Sequence, residues 1–193
     1  MNLFEEHSKE YEKILNLAPC SVNKIAYGKG AFEEKLEWDR MKMKYIYVIC
    51  GYSGVGKSTA EQKHNNVVDL ESSQYSHFFD ADRMYQKNPE FPRNYIDALC
   101  KLADKGGKNI FLLSCHQEVR DELKARGIDY VIVAPRPEQR NEYLKRWLKR
   151  GDTMEFIKGM DNRWDEMQLS CLKDGMPIIY LNEDEYIDDV LPM

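Results

Sequence analysis

The sequence predicts an α/β fold, a parallel sheet of five strands with helices on both faces. Three observations predict it. From residue 45 onward, short apolar runs alternate with longer amphipathic ones. A glycine-rich stretch stands where the first such run gives way to a helical pattern. The 193 residues are 42% hydrophobic and 32% charged, which suits one globular domain with a sizeable core. Alternating strands and helices bury a parallel sheet on both faces.

The elements follow in order. Residues 45–50 (YIYVIC) are β-branched and aromatic and are bounded by glycine, which reads as a buried strand. GKSTAEQKH then reads as a helix, and 66–71 (NVVDLE) as the second strand. Residues 92–106 form a helix with Pro92 near its start and Gly106–Gly107 past its end. A third strand covers 109–115 (NIFLLSC). The helix over 117–127 closes at Gly127. The fourth strand covers 129–135, followed by a helix over 137–151 with Pro137 in its first turn. Residues 153–175 are one helix, or two broken at Gly159. The fifth strand is 177–182, and EDEYIDDVL closes the chain as a short helix. Residues 1–44 stand outside this pattern. They read as an N-terminal helical extension of two amphipathic helices around an irregular or short-stranded PCSVNKIAYGKG; residues 45–193 form the main domain.

Composition narrows the function classes. A net charge of −5 does not suit a duplex-wrapping protein, so nucleic acid is not the expected partner. No run approaches the roughly eighteen apolar residues of a membrane span. The acidic start MNLFEEHSKEYEK lacks the apolar stretch of a secretory signal. The five cysteines are scattered, without a C-x-x-C pair. That spacing predicts reduced thiols in a cytoplasmic protein, without a structural zinc site. The sequence does not set the oligomeric state.

The glycine-rich stretch carries the chemistry. GYSGVGKS, Gly51 to Ser58, fits G-x-x-x-x-G-K-[ST] between a strand and a helix. Glycines let the backbone wrap a phosphate, and successive N–H groups form an anion nest at a helix N-terminus. Gly51, Ser53, Gly54, Val55, Gly56, Lys57, Ser58 and Thr59 are therefore the candidate nucleotide contacts. Lys57 reaches the β- and γ-phosphates, and the Ser58 hydroxyl ligates Mg²⁺. The expected ligand is ATP or GTP with magnesium, ATP being the commoner choice, and no N-K-x-D motif of a GTPase follows a later strand.

Three further clusters surround this loop in sequence logic. Asp69 ends the strand after the P-loop helix, at the sheet edge that forms the crevice in open α/β folds. It is the candidate to join Ser58 at the metal or to orient the acceptor. Glu71 and Ser72 emerge beside it as candidate acceptor contacts. Arg146 and Arg150 lie four apart on one helix face before a Gly-Asp break. Phosphoryl transfer needs charge stabilisation more than covalent help, so they are candidate lid arginines. His116 and Arg120 follow the third strand, where Arg120 could hold an acceptor anion and His116 either contacts the acceptor or caps the helix. Arg163 in MDNRWDE is a further candidate cation for the acceptor.

With these residues in place, the chain resembles P-loop kinases of the nucleoside monophosphate kinase superfamily. The succession DLESS, NPEFPRNYI, SCHQEVRDEL, RNEYLKRWLKRG and NRWDE is similar to small kinase-like proteins of phages and prophages of Gram-positive bacteria, described as adenylate-kinase-like or deoxynucleotide-kinase-like. The resemblance covers about residues 45–190. It implies a three-layer α/β/α P-loop fold with strand order 2-3-1-4-5 and Mg-ATP at the loop. It also implies an acceptor-binding segment after strand two and a lid before the last strand. The longer lid and the Asp-Gly-x-Pro-Arg strand motif of adenylate kinases are both missing from the sequence. SCHQEVRDEL is also similar to gluconate-type kinases. The expected reaction is transfer of the ATP γ-phosphoryl group to a small acceptor, foremost a nucleoside or deoxynucleoside monophosphate. Alternatives are a gluconate- or shikimate-type acceptor, a polynucleotide 5′-hydroxyl, or an ATP-dependent switch protein.

Overall fold

The structure, a computed structural model, describes residues 25–27, 46–79 and 85–192. In chain order these form β1 (Ile25–Tyr27), β2 (Tyr47–Gly51), α1 (Lys57–Lys63), β3 (Val67–Asp69), α2 (Ser73–Ser76), β4 (His77–Phe79) and β5 (Tyr85–Lys87). Then come α3 (Arg93–Lys105), β6 (Ile110–Ser114), α4 (Gln117–Ala125), β7 (Val131–Pro135), α5 (Arg140–Arg150), α6 (Met154–Asn162), α7 (Trp164–Lys173) and β8 (Ile178–Leu181).

The main sheet runs β1-β8-β7-β2-β6-β3, and every neighbouring pair is parallel. Without β1, and read from the β3 edge, this is the order 2-3-1-4-5. β1 adds a sixth strand beside β8, with Ile25 opposite Ile178. The segment expected as a helical extension thus contributes a strand; its two expected helices lie outside the described residues. Parallel neighbours need right-handed crossovers. The step from β2 to β3 and the step from β3 to β6 run in opposite directions along the sheet. That reversal sends α1 and α3 to opposite faces.

The inner strands are apolar on both faces, as a doubly covered sheet requires. Ile49, Cys50, Phe111, Leu112, Leu113, Ile132 and Val133 are all fully buried. Beside the end of β2, Tyr52, Tyr143, Trp147 and Trp164 form a buried aromatic cluster, with ring centroids 5.4 to 6.2 Å apart. Edge-on contacts of this kind add to what burial alone contributes. The cluster ties α5 and α7 to the residue that follows β2.

Three details differ from the sequence reading. Residues 153–175 do form two helices, but the break falls at Arg163, not Gly159. Gly159 stays helical, and its carbonyl accepts the Arg163 Nε–H at 3.1 Å. That bond caps the end of α6. The short last helix is present but is a four-residue 3-10 helix, Ile187–Val190, shorter than the segment expected. After β3 come α2 and an antiparallel β4–β5 pair, which no periodicity announced. Elements of three and four residues are too short to carry a pattern.

β2 and β7 are neighbours, and the connections from their C-terminal ends leave in opposite directions, from β2 toward β3 and from β7 toward β8. That topological switch point opens a crevice at the strand C-termini, where α/β sheets take their ligands.

Candidate active site

The crevice is a cleft of ≈ 760 Å³. Its centre is the loop between β2 and α1. Gly54 and Gly56 hold φ of 88° and 93°, the left-handed region that glycine alone enters cheaply. Both also lack room. A Cβ on Gly54 would stand 2.8 Å from Trp147 Nε1, and one on Gly56 3.0 Å from Tyr186 Cδ1. The loop is braced from outside: Trp147 Nε1–H donates to Ser53 O at 3.3 Å, and Ile187 N–H donates to Val55 O at 2.8 Å.

Lys57 opens α1 and folds back over the loop, donating to Gly51 O at 3.2 Å and Tyr52 O at 3.4 Å. Burial pulls its pKa below the ordinary lysine value, while Asp69 and Glu71 pull the other way. Ser58 Oγ–H donates to Asp69 Oδ2 at 2.7 Å. Asp69 Oδ1 is buried and has no hydrogen-bond partner among the described residues. Burial pushes the Asp69 pKa up, against the attraction of Lys57 and the Ser58 bond.

This donor set fits magnesium. It offers one hydroxyl and one carboxylate with an unsatisfied oxygen, both hard ligands, beside a loop shaped to hold an anion. Among the described residues no cluster of three or more His, Cys, Asp or Glu could hold a metal. An ion completed by phosphates and water needs no such cluster.

The remaining predicted residues separate into those that reach the cleft and those that do not. Gly51, Ser53, Gly54, Gly56 and Thr59 line it, as do Glu71, Ser72, His116, Arg146, Arg150 and Arg163. Val55 is fully buried and does not line the cleft; its side chain packs into the core. Arg150 pairs with Asp152 at 2.6 Å and reaches Ser53 Oγ at 3.4 Å, which brings it over the loop. Arg146 is held between two rings, its guanidinium carbon 4.8 Å from the Tyr143 centroid and 4.3 Å from that of Tyr186. It also donates to Glu185 O at 3.2 Å. His116 stands at the N-cap of α4, but its side chain makes no cap bond. Burial lowers its pKa below the ordinary histidine value, so its ring is neutral at pH 7.

Arg120 is the correction. It faces the core, not the cleft, and is 1% exposed. Its guanidinium pairs with Asp174 at 2.5 Å and donates to Ser170 O at 3.1 Å. Tyr130 O–H donates to the other Asp174 oxygen at 2.6 Å. A buried guanidinium needs such partners, and α7 supplies them. An arginine four residues into a helix looks the same in sequence whichever way the helix faces.

Tyr186, Trp147 and His77 also line the cleft, and the sequence reading did not assign them there; Tyr85 lines it too, and in the sequence it is one of several aromatic residues, with Tyr75, Phe91, Tyr95 and Trp164, that could wall a base but are more often core. Tyr186 sits in an acidic tail without a motif. Trp147 reads as an ordinary apolar helix position. His77 and Tyr85 belong to the unannounced hairpin.

No protein-family model matches the chain, and no curated protein matches it. Among solved structures it is similar to the tunicamycin resistance protein of Deinococcus radiodurans. The two share 16% identity over 65% of this chain and 81% of the other, with a TM-score of 0.45. That distance leaves the substrate to be argued from the site.

Proposed function

We propose that the protein is a P-loop kinase that moves the γ-phosphoryl group of ATP to a small acceptor, foremost a nucleoside or deoxynucleoside monophosphate. The observation that carries this reading is the Ser58–Asp69 pair within the glycine cradle, with Asp69 Oδ1 left unsatisfied. A glycine-rich turn without ligand chemistry has no use for a buried, unpartnered carboxylate oxygen.

Each residue has a physical task. The loop N–H groups and Lys57 hold the phosphates and offset their charge. Ser58 and Asp69 would hold Mg²⁺, which supplies charge neutralisation at the phosphate oxygens when bound. Arg150, poised over Ser53, offsets charge on the transferring group. The bond from the γ-phosphorus to the bridging oxygen breaks as the bond to the acceptor oxygen forms, and ADP leaves. A monophosphate acceptor attacks through an oxygen that is already anionic, so no strong base is required. Arg163 and the neutral His116, which also line the cleft, offer a cation and a hydrogen bond to that acceptor.

The test is coupled ADP release with Mg-ATP against ribo- and deoxyribonucleoside monophosphates, gluconate, shikimate and a 5′-hydroxyl oligonucleotide. Stimulation by one or a few monophosphates, reduced at least about a hundredfold in Lys57→Ala, is the expected result. ATP binding without stimulation by any acceptor would sink the kinase reading for these compounds.

A further inference from the structure

The β4–β5 hairpin carries a feature that phosphate chemistry does not use. His77 and Phe79 lie two apart on β4 and so point to one face. Tyr85 on β5 stands opposite Phe79. The three rings form one strip on that face. His77 and Tyr85 are stacked, with centroids 4.6 Å apart and planes 7° from parallel. Phe79 adjoins Tyr85 at 5.3 Å, tilted by 52°. The strip starts inside the cleft, because His77 and Tyr85 both line it, and runs out toward solvent.

Its exposure is what demands a reason. Tyr85 is 58% exposed and Phe79 69%. Rings that served only to stabilise the hairpin would gain more by packing on the body of the protein. Cross-strand aromatic pairs do help a short hairpin. They do not require the strip to begin at the wall of a phosphate cleft. The other aromatic rings on this cleft, Trp147, Tyr186 and Phe156, belong to the loop side and are already engaged with Ser53, Arg146 and Arg150. The hairpin rings are the aromatic surface on the β3 side, where the acceptor must enter.

We infer that the His77–Tyr85–Phe79 strip is a stacking platform for a nucleobase of the acceptor. This rests on the kinase reading and names the acceptor class. A flat base stacks on a ring face through the same offset geometry that joins His77 to Tyr85. A sugar acid has no planar face to match it. The nearby hydroxyls of Ser72 and Ser76 and the Arg163 guanidinium suit the sugar and phosphate of the same molecule. Phe79 extends the strip beyond the cleft lining, which leaves space for a second base. The shared chemistry is a stacked base, carried by a free mononucleotide or by the end of a short oligonucleotide.

Binding and turnover are measured separately. Equilibrium dialysis with a non-hydrolysable ATP analogue follows retention of mononucleotides and dinucleotides by the wild type, Tyr85→Ala, Tyr85→Phe and Phe79→Ser. Coupled ADP release follows the same compounds together with gluconate and shikimate. Tyr85→Ala should weaken retention of every base-bearing acceptor about ten- to a hundredfold and raise its KM equally, with the KM for ATP unchanged. Tyr85→Phe, which keeps the ring, should restore both. Phe79→Ser, at an exposed position, should weaken dinucleotides alone if an oligonucleotide end is the source. A mononucleotide source leaves Phe79→Ser at wild-type affinity for the retained compound and still supports the stacking site. Retention equal in the wild type and Tyr85→Ala, or no retention of any base-bearing compound, overturns the inference whatever turnover shows. Stimulation by a sugar acid alone overturns it too, while leaving the kinase reading intact. Retention with stacking but without turnover would sink the kinase reading instead.

Discussion

The two walls of the cleft are built differently. The loop wall, which the proposed function makes the nucleotide wall, is fastened from several directions: Trp147 holds Ser53, Ile187 holds Val55, and Tyr186 lies against Gly56 and Arg146. The opposite wall, the acceptor wall of the same proposal, rests on a four-residue helix and a pair of three-residue strands, with Phe79 and Tyr85 in solvent. Two-stranded pairs of that length are marginal on their own. The difference teaches where each demand is met. Phosphate geometry is the same in every turnover, so its cradle gains from rigid bracing. In the proposed kinase, acceptor choice would rest on a few exposed side chains that can change without disturbing the core.

Four substitutions break or sharpen this comparison, in order of expected effect on stability. Arg120→Ala should cost about 3–5 kcal/mol, because it strands the buried Asp174 carboxylate. Denaturant unfolding measures it. A raised acceptor KM with stability unchanged would return Arg120 to the acceptor wall. Gly54→Ala should cost about 1–3 kcal/mol, since alanine is strained at φ 88° and its Cβ would press on Trp147. Its ATP affinity should fall with it. An alanine tolerated in both assays would show that the nucleotide wall is not rigid.

Asp69→Asn sits at the boundary of the two walls and should act in opposite senses. Magnesium-dependent activity should collapse, while the melting temperature of the nucleotide-free protein should rise slightly at pH 7. The sign follows from burial, which raises the folded pKa above the unfolded one. Between those two values the native state binds more protons. The cost of the buried charge is then full above the folded pKa and vanishes as pH falls below the unfolded value. The gain from asparagine should therefore shrink on acidification. A gain that grows instead would contradict the burial argument.

Asp188→Asn should have the smallest effect, about 1 kcal/mol or less. Asp188 pairs with Lys63 at 2.7 Å and with His64, and so pins the segment carrying Tyr186 to the end of α1. Burial raises its pKa, but the bonds from Lys63 and His64 outweigh that and set it below the ordinary value. Its stabilisation is present above the unfolded pKa and is lost as pH falls through the folded one. Thermal melts of both forms across pH 3 to 7, about the carboxylate range, should therefore converge at the acid end.

The fold and the loop side of the cleft were legible in the sequence. The four inner strands, β8, β7, β2 and β6, are contiguous apolar runs, and such runs announce burial without reference to anything distant. The phosphate cradle is legible for the same reason: an anion nest is made by consecutive N–H groups, so its chemistry is local in the chain. Asp69 could be placed because strand order carries strand ends to one crevice.

What only the tertiary structure decided is pairing across distance and the facing of helices. Arg120 meets Asp174, 54 positions away, and nothing in its own helix reveals which side is covered. Arg146 is stacked by Tyr186 from a tail without a motif. The hairpin strip is assembled from strands too short to show a period, and its rings become a surface only when the two strands pair. Local chemistry is written in consecutive residues. Contacts between distant residues depend on how the whole sheet closes, because the free energy that places them is the sum of burial over the entire core.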